Sequence, residues 1–115
     1  MKTLILLLAL TFNAQAQEEL YRNERIFLMQ FDTTYALYYN NEYYKHIKDP
    51  KYLSLSSSES LESFITTSLK AIENKETIQW RGIILTEIIG KCIVYFDKYN
   101  YFSISKEELN ELIEL

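Results

Sequence analysis

The period of the apolar positions changes along the chain and marks out its elements. Leu61, Phe64, Ile65, Leu69 and Ile72 recur at i, i+3, i+4, i+8 and i+11, which winds them into one stripe of a helix. Glu62, Ser63, Thr66, Thr67, Lys70 and Glu73 cover the other side. Ser56 and Glu59 stand at capping-box spacing and Asn74 supplies a stop, so the helix is predicted over about 57–74.

Before this helix the pattern is that of strands. Residues 17–24 are polar and read as a loosely packed start. Ile26–Phe31 has strand composition, and Asp32-Thr33-Thr34 reads as a turn. Tyr35–Tyr39 and Glu42–Ile47 read as a hairpin about Asn40-Asn41, because Asn tolerates the positive φ of a two-residue turn. That register sets Tyr38 against Tyr43, Leu37 against Tyr44 and Tyr35 against His46. It places Tyr35, Leu37, Tyr39, Glu42, Tyr44 and His46 on one face. Asp49-Pro50 ends the unit, since proline holds the preceding residue extended. Tyr52–Leu55 reads as a further short strand.

After the helix, Thr77–Arg81 alternates, with Ile78 and Trp80 inward. Gly82 permits a turn. Ile83–Ile89 is apolar on both faces; its period alone does not separate strand from buried helix, and its β-branched isoleucines favour strand. Gly90 turns the chain into Lys91–Phe96, where Cys92, Val94 and Phe96 share a face. Asp97–Asn100 is a turn and Tyr101–Ser105 the return strand. Ser105 and Glu108 repeat the capping-box spacing ahead of a short closing helix with Leu109, Leu112 and Ile113 on its apolar edge. Strands in runs, separated by helices, imply an α+β fold. The expected fold is a small antiparallel sheet built from N-terminal and C-terminal hairpins, with both helices packed on one face.

Residues 1–16, MKTLILLLALTFNAQA, alter this picture. They combine Lys2, an apolar run from Leu4 to Phe12 and the small-x-small site Ala14-Gln15-Ala16, the pattern of a secretory signal peptide cleaved before Gln17. The run is shorter than the about 20 residues a spanning helix needs. The expectations are export to the periplasm or beyond, a single mature domain over 17–115, and no stable membrane insertion after cleavage. The leader resembles a bacterial signal peptide more than a eukaryotic one.

Composition narrows the chemistry. The full chain carries a net charge of −4, and the mature part is one unit more acidic because Lys2 is lost with the leader. Nucleic-acid binding is disfavoured, since phosphates demand clustered Lys and Arg. Lys45, Lys48 and Lys51 form one local basic cluster, of the kind that usually serves solubility. Cys92 is the only cysteine and His46 the only histidine. One of each does not make a transition-metal site, so no metal and no cofactor is expected. Lone Cys92 reads as a core residue, with an intermolecular disulfide or a reactive thiol as the alternatives, and a Cys92–His46 nucleophile–base pair requires a thiolate that its apolar neighbours disfavour. Asp97–Asn100 lacks the alternating acids, glycine and terminal Glu of a calcium loop. Glu107, Glu111 and Glu114 share one face of the closing helix and read as a solvated surface. The chain has no phosphate loop, no Gly-x-Ser-x-Gly elbow and no N-glycosylation sequon.

Tyrosine remains. Of ten tyrosines, six lie between Tyr35 and Tyr52. Tyrosine favours half-buried sheet faces, and it also supplies flat contact area at low entropic cost. The candidate recognition surface is Tyr35, Tyr39, Tyr44 and His46, for a protein, peptide or glycan ligand. The expected function is a small exported, non-catalytic binding module. An inhibitor or immunity-type protein blocking an enzyme or toxin would share these features, and an enzyme using Cys92 and His46, or carboxylates such as Glu107 and Glu111, is the third reading.

Overall fold

Among the described residues, eight strands and two helices alternate in two blocks. β1 (Gln17–Arg22), β2 (Ile26–Phe31), β3 (Thr34–Asn40) and β4 (Pro50–Leu55) form a four-stranded antiparallel meander. Helix α1 (Ser58–Asn74) leads to a second such meander, β5 (Ile78–Trp80), β6 (Ile83–Ile88), β7 (Lys91–Asp97) and β8 (Asn100–Ser105). Helix α2 (Lys106–Ile113) closes the chain. This computed structural model describes residues 17–115, so the expected leader and cleavage site lie outside the described residues. The α+β class is the one expected, with the strands divided between two sheets.

Alternation decides what each sheet buries. The first contributes Ile26, Leu28, Leu37, Tyr39, Leu53 and Leu55 to the core. The second contributes Trp80, Leu85, Cys92, Val94, Phe102 and Ile104, and the helices add Phe64, Ile65, Ala71, Ile72, Leu109 and Leu112. All belong to one apolar cluster. Ile83–Ile88 is a strand, and its Leu85 opposes Val94 and Ile78 on the inner face. In α1 the stripe falls as predicted: Phe64, Ile65 and Ile72 are buried, with Leu61 and Leu69 packed beside them. The N-cap is Ser57 rather than Ser56; its hydroxyl accepts the Ser60 N–H at 3.1 Å. α2 has the complete capping box, Ser105 with Glu108.

Two expectations are overturned. Residues 17–22 are not a frayed start but strand β1, registered Gln17↔Phe31 through Arg22↔Phe27. A register shift between Glu19 and Tyr21 interrupts the two-residue period, so the strand does not show in its side chains. The Asn40-Asn41 hairpin does not form. β3 is central, flanked by β2 through the Asp32-Thr33 turn and by β4, so Tyr38 faces Phe27 and Tyr52 rather than Tyr43. With both its edges occupied, β3 has no ladder to offer residues 42–47, and they form a loop.

On the outer face of the first sheet Arg22, Phe27, Tyr38 and Tyr52 lie in one row across all four strands. The guanidinium sits 4.2 Å from the Phe27 ring centre, and the Phe27 and Tyr38 rings stack at 4.6 Å and 8°. Tyr38 and Tyr52 follow at 5.5 Å. The rings turn their faces to one another, so the row serves as cross-strand packing.

Two hairpin turns place consecutive residues at positive φ: Arg81-Gly82 at 50° and 80°, and Ile89-Gly90 at 52° and 78°. Glycine suits this geometry, whereas a β-branched residue is strained in it. Ile89 is also 92% exposed, so no packing offsets the strain. Ile89→Asn, the residue this turn type favours, is expected to stabilise the protein by about 1 kcal/mol, seen as a higher midpoint in thermal denaturation. An unchanged or lower midpoint would show the strain to be absent.

Candidate functional site

The loop between β3 and β4 carries the densest group of exposed aromatic side chains, and its shape follows from two asparagines. At its neck Asn40 Oδ1 accepts the Asp49 N–H at 2.7 Å, and the Asn41 N–H donates to the Asp49 carbonyl at 3.0 Å. Asn41 is 1% exposed and every polar atom of its side chain is used. Its Nδ2 donates to Asp49 Oδ2 and to the Tyr99 carbonyl, and its Oδ1 accepts the N–H groups of Tyr43 and Tyr101. The Glu42 N–H then donates to the Tyr101 carbonyl at 2.9 Å, and the Glu42 carboxylate accepts the Ser103 N–H at 2.8 Å. Asn41 and Glu42 thus act as a surrogate strand along the free edge of β8, satisfying groups that an edge strand otherwise leaves open.

Beyond the neck the loop projects residues 43–48, all exposed. The Tyr43 ring is the hub of a cluster. It meets Tyr44 and Tyr99 edge-on at 5.0 Å each and Tyr101 at 6.5 Å, and Tyr101 packs on Tyr95 at 5.1 Å. Lys98 Nζ lies 5.0 Å from the centre of the Tyr99 ring. Tyr43, Tyr44, Ile47 and Tyr99 are between 40% and 66% exposed, so the tip formed by this loop and the β7–β8 turn presents apolar surface to solvent. Lys45, His46 and Lys48 on the loop and Lys98 on the turn are exposed too, with Lys48 bordering the hollow beside Arg22 and Phe27. Lys51, the third lysine of the basic cluster, lies 3.9 Å from Asp49 at the neck.

Below the tip a polar seam joins the two sheets to α2. Arg25 Nη1 donates to both oxygens of Glu108, at 2.8 and 3.0 Å, while Nη2 reaches Glu42, the Ser103 carbonyl and the Ser103 hydroxyl. Asn23 Nδ2 donates to Glu108 at 2.7 Å, and the Tyr21 hydroxyl donates to Glu111. Burial by itself would raise the Glu108 carboxyl. The Ser105 N–H, the Asn23 amide and the Arg25 guanidinium outweigh it and hold the group below its ordinary value. A carboxylate so fully engaged is an anchor, not a proton carrier.

The four residues expected as a recognition surface do not share one. Tyr39 is 4% exposed, stacked against Phe102 at 4.2 Å and Phe96 at 5.5 Å, with its hydroxyl donating to Asn100. Burial pushes that hydroxyl up to about 12. Tyr35 is half-buried beside Leu20, Gln30, Leu61 and Leu112 in a hollow next to α2. Only Tyr44 and His46 sit on the loop. The real register explains this, since β3 alternates into the core rather than across to residues 42–47. Sequence reasoning missed Tyr43, Ile47, Lys98 and Tyr99 as members of a site. The available signal was a large apolar side chain in each of two turn segments, Ile47 among lysines and Tyr99 beside Lys98.

Cys92 and His46 are not brought together. Cys92 is fully buried on β7, and the Ser68 hydroxyl, which has no other partner, faces its thiol. Burial pushes the thiol up to about 11. His46 lies on the exposed loop. Glu107 is exposed, whereas Glu111 is engaged by Tyr21. Among the described residues, no three His, Cys, Asp or Glu side chains are grouped to hold a metal ion.

No protein-family model, curated protein or solved structure matches this chain.

Proposed function

We propose that this protein is an exported, non-catalytic binding module whose recognition surface is the tip built from loop 41–49 and the β7–β8 turn. One observation carries the reading. Tyr43, Tyr44, Ile47 and Tyr99 are held in solvent by a neck in which every polar atom of the Asn41 side chain is used. A rigid base under exposed aromatics lowers the entropic cost of binding, and tyrosines with one apolar and one polar end suit contact surfaces. The leader pattern in residues 1–16 supports export.

The test is retention of the protein on washed envelope from the source organism. The triple variant Tyr44→Ser, Ile47→Ser, Tyr99→Ser is expected to lose most of it, at least tenfold, given the apolar area removed. Equal retention of the wild type and this variant would overturn the reading.

A further inference from the structure

We infer that the tip docks on an anionic lipid surface, an inference that rests on the tip being the recognition surface. The chain as a whole carries −4, so it is repelled from anionic partners except where its cations gather. Three of them lie in the tip segments: Lys45 and Lys48 on the loop and Lys98 over the Tyr99 ring are exposed, and none forms an ion pair with another described residue. Of the acids in the same segments, Glu42 pairs with Arg25 at 2.9 Å and Asp49 with Lys51 at 3.9 Å, which leaves Asp97, whose carboxylate accepts the Tyr99 N–H at 2.7 Å, against three unpaired lysines. That excess of unpaired cations turns the tip toward negative charge.

The apolar component fits the same target. Tyrosine partitions to the headgroup level of a bilayer, where its ring is shielded and its hydroxyl stays wet. Lysine beside it keeps its ammonium among the headgroups while its stem lies along apolar surface. Ile47, 66% exposed between His46 and Lys48, is the side chain that would enter deepest. Shape separates this target from an acidic peptide, which takes a groove or a free strand edge. The hollows beside α2 and Arg25 are lined by residues other than Tyr43, Tyr44, Ile47 and Tyr99, with Lys48 at the border of one. The neighbouring β8 edge is already closed by Asn41 and Glu42. A projecting tip meets a flat surface more completely than it meets an extended chain. No helix among the described residues is long and apolar enough to cross a membrane, so this would be peripheral contact.

The experiment is co-sedimentation of the full chain with vesicles of phosphatidylglycerol and phosphatidylcholine in equal parts, against vesicles of phosphatidylcholine alone. Every variant carries the same residues 1–16, so any contribution from them cancels between variants. Binding is expected on the anionic vesicles, weakening with added salt. Lys45→Gln with Lys48→Gln is expected to weaken it by roughly 25-fold, about fivefold per lysine. Tyr44→Ser with Ile47→Ser is expected to weaken it at least tenfold. Unchanged fluorescence of buried Trp80 certifies that each variant is folded. Equal binding to both vesicle types, or loss in one variant pair and not the other, overturns the inference. Retention on whole envelope without binding to lipid vesicles overturns it as well, while leaving the tip as a recognition surface for a protein or glycan. Capture by a soluble polyglutamate peptide with no vesicle binding has the same meaning.

Discussion

Replacing Phe102 by alanine is expected to cost about 4 kcal/mol of unfolding free energy. The ring is 1% exposed and lies where the two sheets meet, stacked on Tyr39 of the first at 4.2 Å and on Phe96 of the second at 6.4 Å. Truncation removes the ring from the core and leaves a cavity between two layers that cannot close without moving both backbones. A domain of this size has a total stability of about 5–15 kcal/mol, so the variant sits near the limit of folding. Urea denaturation followed by Trp80 fluorescence measures the loss. Ile84→Ala, on the outer face of the second sheet and 44% exposed, serves as the matched control and should cost much less. A Phe102 variant within about 1 kcal/mol of wild type would mean that the sheets do not pack through this ring.

Glu108→Ala is expected to cost about 3 kcal/mol. The side chain is 11% exposed, and its loss removes the capping box of α2 together with two Arg25 bonds and one from Asn23. Arg25 keeps Glu42 and is 39% exposed, so it is not stranded as a buried charge. That keeps the cost below that of breaking a fully buried pair. The pH dependence has a definite sign. The folded-state carboxyl titrates below its ordinary value of 4.5, so its stabilisation is fully present above that value. It is lost as pH falls below 4.5 through the folded-state value, because the unfolded chain takes up the proton first. The wild-type stability curve should therefore fall through this acid range, and the curve of the Glu108→Ala variant should be flatter there. Parallel curves would show that the carboxylate is not selectively stabilised.

Helix α1 was legible because its signal is local: five apolar side chains at helical spacing between a run of serines and Asn74, with the cap falling at Ser57, one residue past the Ser56 of the capping-box spacing. The β5–β6–β7 meander was legible for the same reason, with Gly82 and Gly90 at turns that take positive φ. The first sheet was harder, because pairing is not local information. Tyr38 has a reasonable cross-strand partner in Tyr43, five residues away, and a better one in Phe27 on β2. What excludes the first is β4, which takes the one edge of β3 that β2 leaves open and sets Tyr52 opposite Tyr38. Asn40-Asn41 carried turn chemistry, yet Asn41 spends it on Asp49, Tyr99 and Tyr101, and nothing near it in sequence announces a partner nearly 60 residues on. The tip was invisible for that reason: half of it comes from residues 43–48 and half from Lys98-Tyr99.

The same stitching of Asn41 and Glu42 onto β8 has a consequence for assembly. The loop closes its own neck through Asn40, Asn41 and Asp49, but the bonds to Tyr99, Tyr101 and Ser103 that fix it against the second sheet arrive only with β8 and the turn before it. The tip, with Tyr43 set edge-on against Tyr99 and Tyr101, is therefore complete only once β8 has packed beside the loop, so its assembly reports the joining of the two sheets.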